Sequence, residues 1–151
     1  MIALVQRVSS ASVRVDGETV GEVGRGLLVL LGVVRGDGPG QADWLASKVA
    51  ALRVFPDGEG RMNRSLVDVG GDALVVSQFT LAGDARKGTR PSYVRAAAPD
   101  VADPLYRAFC DRLAETLGRP VATGRFGAAM EVALVNDGPV TLWIEREPDG
   151  G

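Results

Sequence analysis

The run Leu27-Leu28-Val29-Leu30-Leu31-Gly32-Val33-Val34 constrains this chain more than any other segment. It carries no polar side chain, so neither face of it suits water, and it is far shorter than the roughly 20 residues a membrane-spanning helix needs. A short apolar run set off by glycines reads as a strand buried on both faces. Such a strand requires covering layers, and the rest of the chain supplies them. Gln41–Leu52 reads as a helix, with Leu45, Val49 and Leu52 on one face of a 3.6-residue period. A second helix is expected from about Asp100 or Asp103 to Leu117. There Asp103-Pro104 serves as N-cap and first helical residue, Leu105, Phe109, Leu113 and Leu117 form the apolar stripe, and Gly118 ends it.

Strands fill most of what remains. Ile2–Val8, Ala11–Val15 and Glu18–Val23 are β-branched and partly alternating, with Asp16-Gly17 as a tight turn. Ala73–Thr80, Val121–Thr123, Met130–Asn136 and Val140–Glu145 read as later strands. Two helices among many strands, without strict alternation, predict an α/β fold: a layered β/α/β single domain on a mixed sheet with two main helices. Its expected span is residues 1–146, with 147–151 as a flexible tail.

The residue inventory removes whole classes of chemistry. The chain of 151 residues contains no histidine, which excludes Ser-His-Asp and Cys-His catalysis and any histidine-ligated metal. A lone cysteine, Cys110, forms neither an internal disulfide nor a Cys-rich zinc site, and its place in a helical pattern suits a buried small hydrophobe. No acidic cluster suggests a metal, so neither metal nor cofactor is expected. Met1–Val8 is too short and too polar at Gln6 and Arg7 for a signal peptide, which points to the cytoplasm and away from membranes. Net charge is −2, so contact with a polyanion would have to run through a local patch.

Four segments could carry function. Ser77-Gln78-Phe79-Thr80 ends an apolar strand just before Leu81–Pro99, a long stretch without a period of its own. Loops of that length inside compact domains are commonly functional. Within it, Arg86, Lys87, Arg90 and Arg95 face the single acid Asp84, which suits a phosphate clamp or simply a solvated loop. Asn136-Asp137-Gly138-Pro139-Val140-Thr141 separates two strands, and Pro139 removes a donor where their ladder should begin. Gly124-Arg125-Phe126-Gly127 sets an aromatic and a cation between glycines, either to hold a base or to make a turn over a buried Phe126.

Ser77–Thr80 and Asn136–Thr141 resemble the two signature motifs of the D-aminoacyl-tRNA deacylase family. Further similarity lies in Ala3–Val8, Gly26–Gly32, Ala42–Leu45, Arg86-Lys87-Gly88, Arg90-Pro91-Ser92 and Gly124–Gly127, in order and at the family's spacing, so that it covers Met1 to about Trp143. The resemblance implies a homodimeric hydrolase that cleaves the ester between a D-amino acid and the 3′-terminal ribose of tRNA. It implies catalytic positions at Ser77, Gln78, Phe79 and Thr80 and tRNA contacts at Arg86, Lys87 and Arg90. Substrate contacts fall to Arg7, Phe126, Met130, Gly138 and Pro139, with Gly138-Pro139 cis and projecting into the partner's pocket.

The residues themselves agree that side-chain chemistry is scarce. An internal threonine is a weak nucleophile without a neighbouring base. The expectation is electrostatic: main-chain N–H groups near Phe79 and Thr80 acting as an oxyanion hole on an already activated ester. Lys87, Asp84 and Asp137 stay open as bases, and so does the 2′-hydroxyl of the substrate's own ribose. A pocket that works by rejecting L side chains should also accept Gly-tRNA. Two other readings compete, a non-catalytic module that caps the tRNA acceptor end and a structural dimerisation domain.

Overall fold

The long first strand organises everything else. In a computed structural model, which describes residues 1–149, β1 (Ile2–Val15) pairs antiparallel with β3 (Gly26–Gly32) through its first half and with β2 (Glu18–Val23) through its second. Along its other edge β1 carries β8 (Glu131–Glu145), also antiparallel. β3 continues the sheet in parallel to β6 (Asp72–Ser77), and β6 in parallel to the short β7 (Ala122–Thr123). β2 packs back towards β6 and β7, so the mixed sheet nearly closes on itself.

The apolar run behaves as its composition requires. Leu27, Leu28 and Val29 are all fully buried. Leu27, Val29 and Leu31 face α1 (Pro39–Ala51) and α3 (Pro99–Leu117), where Leu45, Val49, Phe109 and Leu113 complete the main core. Leu28 points the other way, into a second cluster with Val8, Val13, Leu74 and Val76. Each such side chain withdrawn from water contributes about 1.5–3 kcal/mol, so both faces of β3 are committed.

Several boundaries differ from expectation for identifiable reasons. Ile2–Val15 is one strand rather than two, because the exposed Ser9 and Ser10 sit at a register shift against β8 rather than in a turn. β6 stops at Ser77, and Phe79–Ala82 winds into one 3₁₀ turn. α3 begins at Pro99 after an Ala98 N-cap, which leaves Pro104 inside the helix instead of at its start. Residues 131–145 form one strand, out of which Asp137–Val140 bulge. A single-turn helix, α2 (Leu66–Val69), is added, capped by reciprocal bonds between Ser65 and Asp68. β4 (Phe55–Pro56) and β5 (Met62–Arg64) make a small separate hairpin. Among the described residues no helix is long and apolar enough to cross a membrane. Gly150 and Gly151, the end of the expected tail, lie outside the described residues.

Candidate active site

Where β7 ends, the edge of β6 opens onto a cavity of about 590 Å³. β7 reaches only as far as Thr123, opposite Val75, so among the described residues no strand pairs with that edge of β6 beyond this point. Ser77 is registered against Leu31 on the β3 side, but the bond there runs from the Gln78 N–H to the Leu31 carbonyl at 2.7 Å. Successive residues of a strand turn their polar groups to opposite edges, so the Ser77 N–H and C=O face the open side. Val75 shares that orientation, and its carbonyl accepts a 2.7 Å bond from the buried Tyr106 hydroxyl. Burial pushes the Tyr106 hydroxyl far above the ordinary phenol range, which keeps it a neutral donor. Beside it, burial lifts the Cys110 thiol to about 12, so Cys110 is not a nucleophile.

The floor of the cavity is apolar, with Leu31, Tyr106, Phe126, Met130 and Val132 around it. Ser77, Gln78, Phe79 and Thr80 also border it and, with Tyr93 and Tyr106, bring its polar side chains. The Gln78 side-chain amide donates to the Thr80 hydroxyl oxygen, which occupies one of its lone pairs. The Phe79 ring stands largely exposed, 58%, edge-to-face with Tyr93 at 5.2 Å between centroids.

A second constellation lies elsewhere on the same chain. Against β1, the strand β8 is in register at Gln6↔Thr141 and at Val8↔Asn136, so Asp137–Val140 are extruded opposite Arg7. The Asn136 side chain closes this bulge, accepting from the Val140 N–H at 3.1 Å and donating to Thr141 Oγ1 at 2.9 Å. Arg7 then fixes its position. Its Nε donates to the Asp137 carbonyl at 3.0 Å and its Nη1 to the Val54 carbonyl at 2.6 Å, while the Asp137 carboxylate lies 3.3 Å from Nε. The Gly138-Pro139 peptide at the tip is cis. Neither Arg7, Gly138 nor Pro139 borders the cavity of its own chain.

The basic loop is closed at its base by two 2.8 Å main-chain bonds between Asp84 and Ser92. Within it, Arg86 grips Asp84 through both Nε and Nη2, at 2.9 and 2.7 Å. That contact holds the Asp84 carboxyl down at about 2 and gives Arg86 a counter-charge within the loop. Arg95 pairs with Glu145 at 3.1 Å. Among the described residues Lys87 and Arg90 have no ion-pair partner. Also among the described residues, no cluster of three His, Cys, Asp or Glu side chains is placed to hold a metal ion.

The family model described as D-Tyr-tRNA(Tyr) deacylase matches residues 4–145. The chain belongs to that family. It is 61% identical to the D-aminoacyl-tRNA deacylase of Opitutus terrae over 145 residues, covering 96% of this chain and 97% of that one. It is 58% identical to the D-aminoacyl-tRNA deacylase of Salinibacter ruber, covering 99% of each. Among solved structures it superposes on a c-Myc DNA unwinding element binding protein with a TM-score of 0.92 and 39% identity, covering 97% of this chain and 99% of that one.

Against this deacylase-family frame, the structure sorts the sequence-predicted residues into three groups. Ser77, Gln78, Phe79, Thr80, Phe126 and Met130 meet at one cavity. Arg7, Gly138 and Pro139 meet at the bulge, and Arg86, Lys87 and Arg90 sit in the clamped loop. Tyr106 and Tyr93, which also border the cavity, escaped sequence reasoning. Tyr106 lies next to Leu105, one residue off the apolar stripe, and a hydroxyl so close to that stripe was the available signal. Tyr93 lies in a stretch with no period at all.

Proposed function

We propose that this chain hydrolyses the ester of D-aminoacyl-tRNA in the cavity beside Ser77–Thr80, releasing free amino acid and tRNA. The observation that carries the reading is the unpaired edge of β6, which offers main-chain polar groups at the mouth of an otherwise apolar cavity. Water attacks the ester carbonyl carbon and the carbonyl oxygen takes up negative charge. The C–O bond to the ribose 3′-oxygen then breaks, and that oxygen leaves with a proton. The leading N–H groups of a helical turn lack internal acceptors, which makes those of Phe79 and Thr80 suitable donors to the oxyanion. One such donor supplies about 3 kcal/mol of transition-state stabilisation.

Thr80 is a poor nucleophile on two grounds: among the described residues its only side-chain hydrogen-bond partner is the Gln78 amide, which is not a base, and that amide already donates to its oxygen. The 2′-hydroxyl next to the scissile ester takes the role of orienting water, so catalysis is substrate-assisted. Selectivity arises by excluding the L side chain. Glycine offers no side chain to exclude, and Gly-tRNA is therefore a second substrate. Arg86, Lys87 and Arg90 meet the acceptor-end phosphates, and the cytoplasm, where aminoacyl-tRNA resides, is the site of action.

The bulge at Gly138-Pro139 serves a second copy of the chain. In a homodimer it completes the partner's cavity, since it cannot reach its own, and the Arg7 tether holds it ready. The exposed Val135, Leu142 and Trp143 of β8 support such an interface, because among the described residues no strand pairs with the far edge of β8. The deciding experiment incubates the protein with D-Tyr-tRNA, L-Tyr-tRNA and Gly-tRNA and follows ester loss. Turnover of the D and glycyl esters with the L ester spared is the expected result. Binding of all three without turnover would leave a tRNA-capping module instead.

A further inference from the structure

We infer that Tyr93, paired with Phe79, is a stacking platform for a base of the single-stranded acceptor end that lies outside the cavity. This inference rests on the reading of the cavity as the deacylation site and adds where the next nucleotide goes. A cavity of about 590 Å³ falls within the small-molecule range of roughly 300–1,000 Å³, which suits one aminoacylated nucleoside. The strand leading to that nucleoside must therefore leave across the cavity's border. Tyr93 stands on that border, and both it and Phe79 are exposed, at 40% and 58%.

Two exposed aromatic rings are costly to leave in water, and here they are built into place. They meet edge-to-face, at 70° between planes, and Tyr93 keeps 40% of its surface open to a base. Gly83 makes room for the arrangement, since a Cβ there would lie 2.9 Å from Tyr93 Cε1. The Asp84–Ser92 bonds fix the backbone just before Tyr93, and the Tyr93 carbonyl accepts from the Ala96 N–H at 3.0 Å just after it. The loop those bonds close carries Lys87 and Arg90, two cations that have no ion-pair partner among the described residues. Aromatic faces flanked by uncompensated cations are what sequence-tolerant binding of single-stranded nucleic acid requires.

The test compares two substrates, a D-aminoacyl-tRNA and the corresponding 3′-O-D-aminoacyl-adenosine, which lacks every upstream base. The readout is the ratio of their kcat/KM values. Tyr93→Ala and Tyr93→Leu should each lower that ratio roughly tenfold, in line with the loss of one stacked base. Tyr93→Leu keeps apolar bulk without a π-face, so it separates stacking from packing if Tyr93→Ala folds poorly. Tyr93→Phe should restore the wild-type ratio. An unchanged ratio in Tyr93→Leu, whether both substrates suffer or neither does, overturns the platform. Wild-type protein that turns over neither ester overturns the deacylase reading, and this one with it.

Discussion

The Tyr106 hydroxyl reaches across 31 residues of sequence to hold the Val75 carbonyl at 2.7 Å, at the point where β7 gives out. It does for that carbonyl what a longer β7 would have done, and two residues further on the edge lies open at Ser77. The α3 helix thereby sets the height of the strand end that walls the cavity.

Tyr106→Phe keeps the ring but strands a buried carbonyl, which should cost about 1–2 kcal/mol of stability in denaturant unfolding. Deacylation should fall with it through kcat more than KM, because the Ser77–Thr80 wall loses its anchor while the apolar floor stays filled.

Gly138 has φ +133°, and a Cβ there would meet Val140 Cγ2 at 2.8 Å and Arg7 Nη2 at 3.0 Å. Gly138→Ala should therefore displace the bulge and reduce deacylation at least tenfold, with little change in melting temperature since the bulge is exposed. Ala128→Trp, which fills the cavity, should be inactive for the opposite reason. Mixing the two variants should recover activity if the bulge serves the partner, and should recover none if it serves its own chain.

On the proposed mechanism, in which Thr80 contributes main chain and packing, Thr80→Ala should keep substantial activity. A D-aminoacyl-tRNA ending in 2′-deoxyadenosine and charged on its 3′-oxygen should bind but turn over far more slowly. Normal turnover of the deoxy substrate together with a dead Thr80→Ala would place the chemistry on the side chain.

Much of this fold is written locally. The Leu27–Val34 run and the Leu45–Val49 and Leu105–Leu113 stripes each specify an element and the face it buries, because burial periodicity is a property of neighbours in sequence. The start of α3 was not legible, because Ala98-Pro99 and Asp103-Pro104 both offer a proline near a first turn and only tertiary packing chooses between them. The cavity wall at Ser77–Thr80 came from resemblance, not periodicity. The Tyr106–Val75 bond could not be read at all, since it depends on where β7 happens to stop.

The Asp84–Arg86 contact gives a prediction in pH and salt. A carboxyl held at about 2 keeps its charge, and its contribution to the loop, above its ordinary 3.8, and loses both as pH falls through about 2. Carboxylate NMR should show that low midpoint in the wild type and a return towards 3.8 in Arg86→Ala. Because Arg86 is already partnered, Lys87→Ala and Arg90→Ala should each reduce the salt dependence of tRNA affinity by a slope of about 0.7–0.9. Arg86→Ala should change that slope less than either.

The groups that Ser77 turns towards the cavity belong to the main chain, and mutational drift cannot strip them away. Any residue except proline at that position presents the same N–H and C=O to an incoming ligand. An inhibitor built to hydrogen-bond along this edge would meet a target with few direct routes to resistance. Escape would have to come indirectly, through residues such as Tyr106 that decide where the edge lies, and at the expense of the reaction itself.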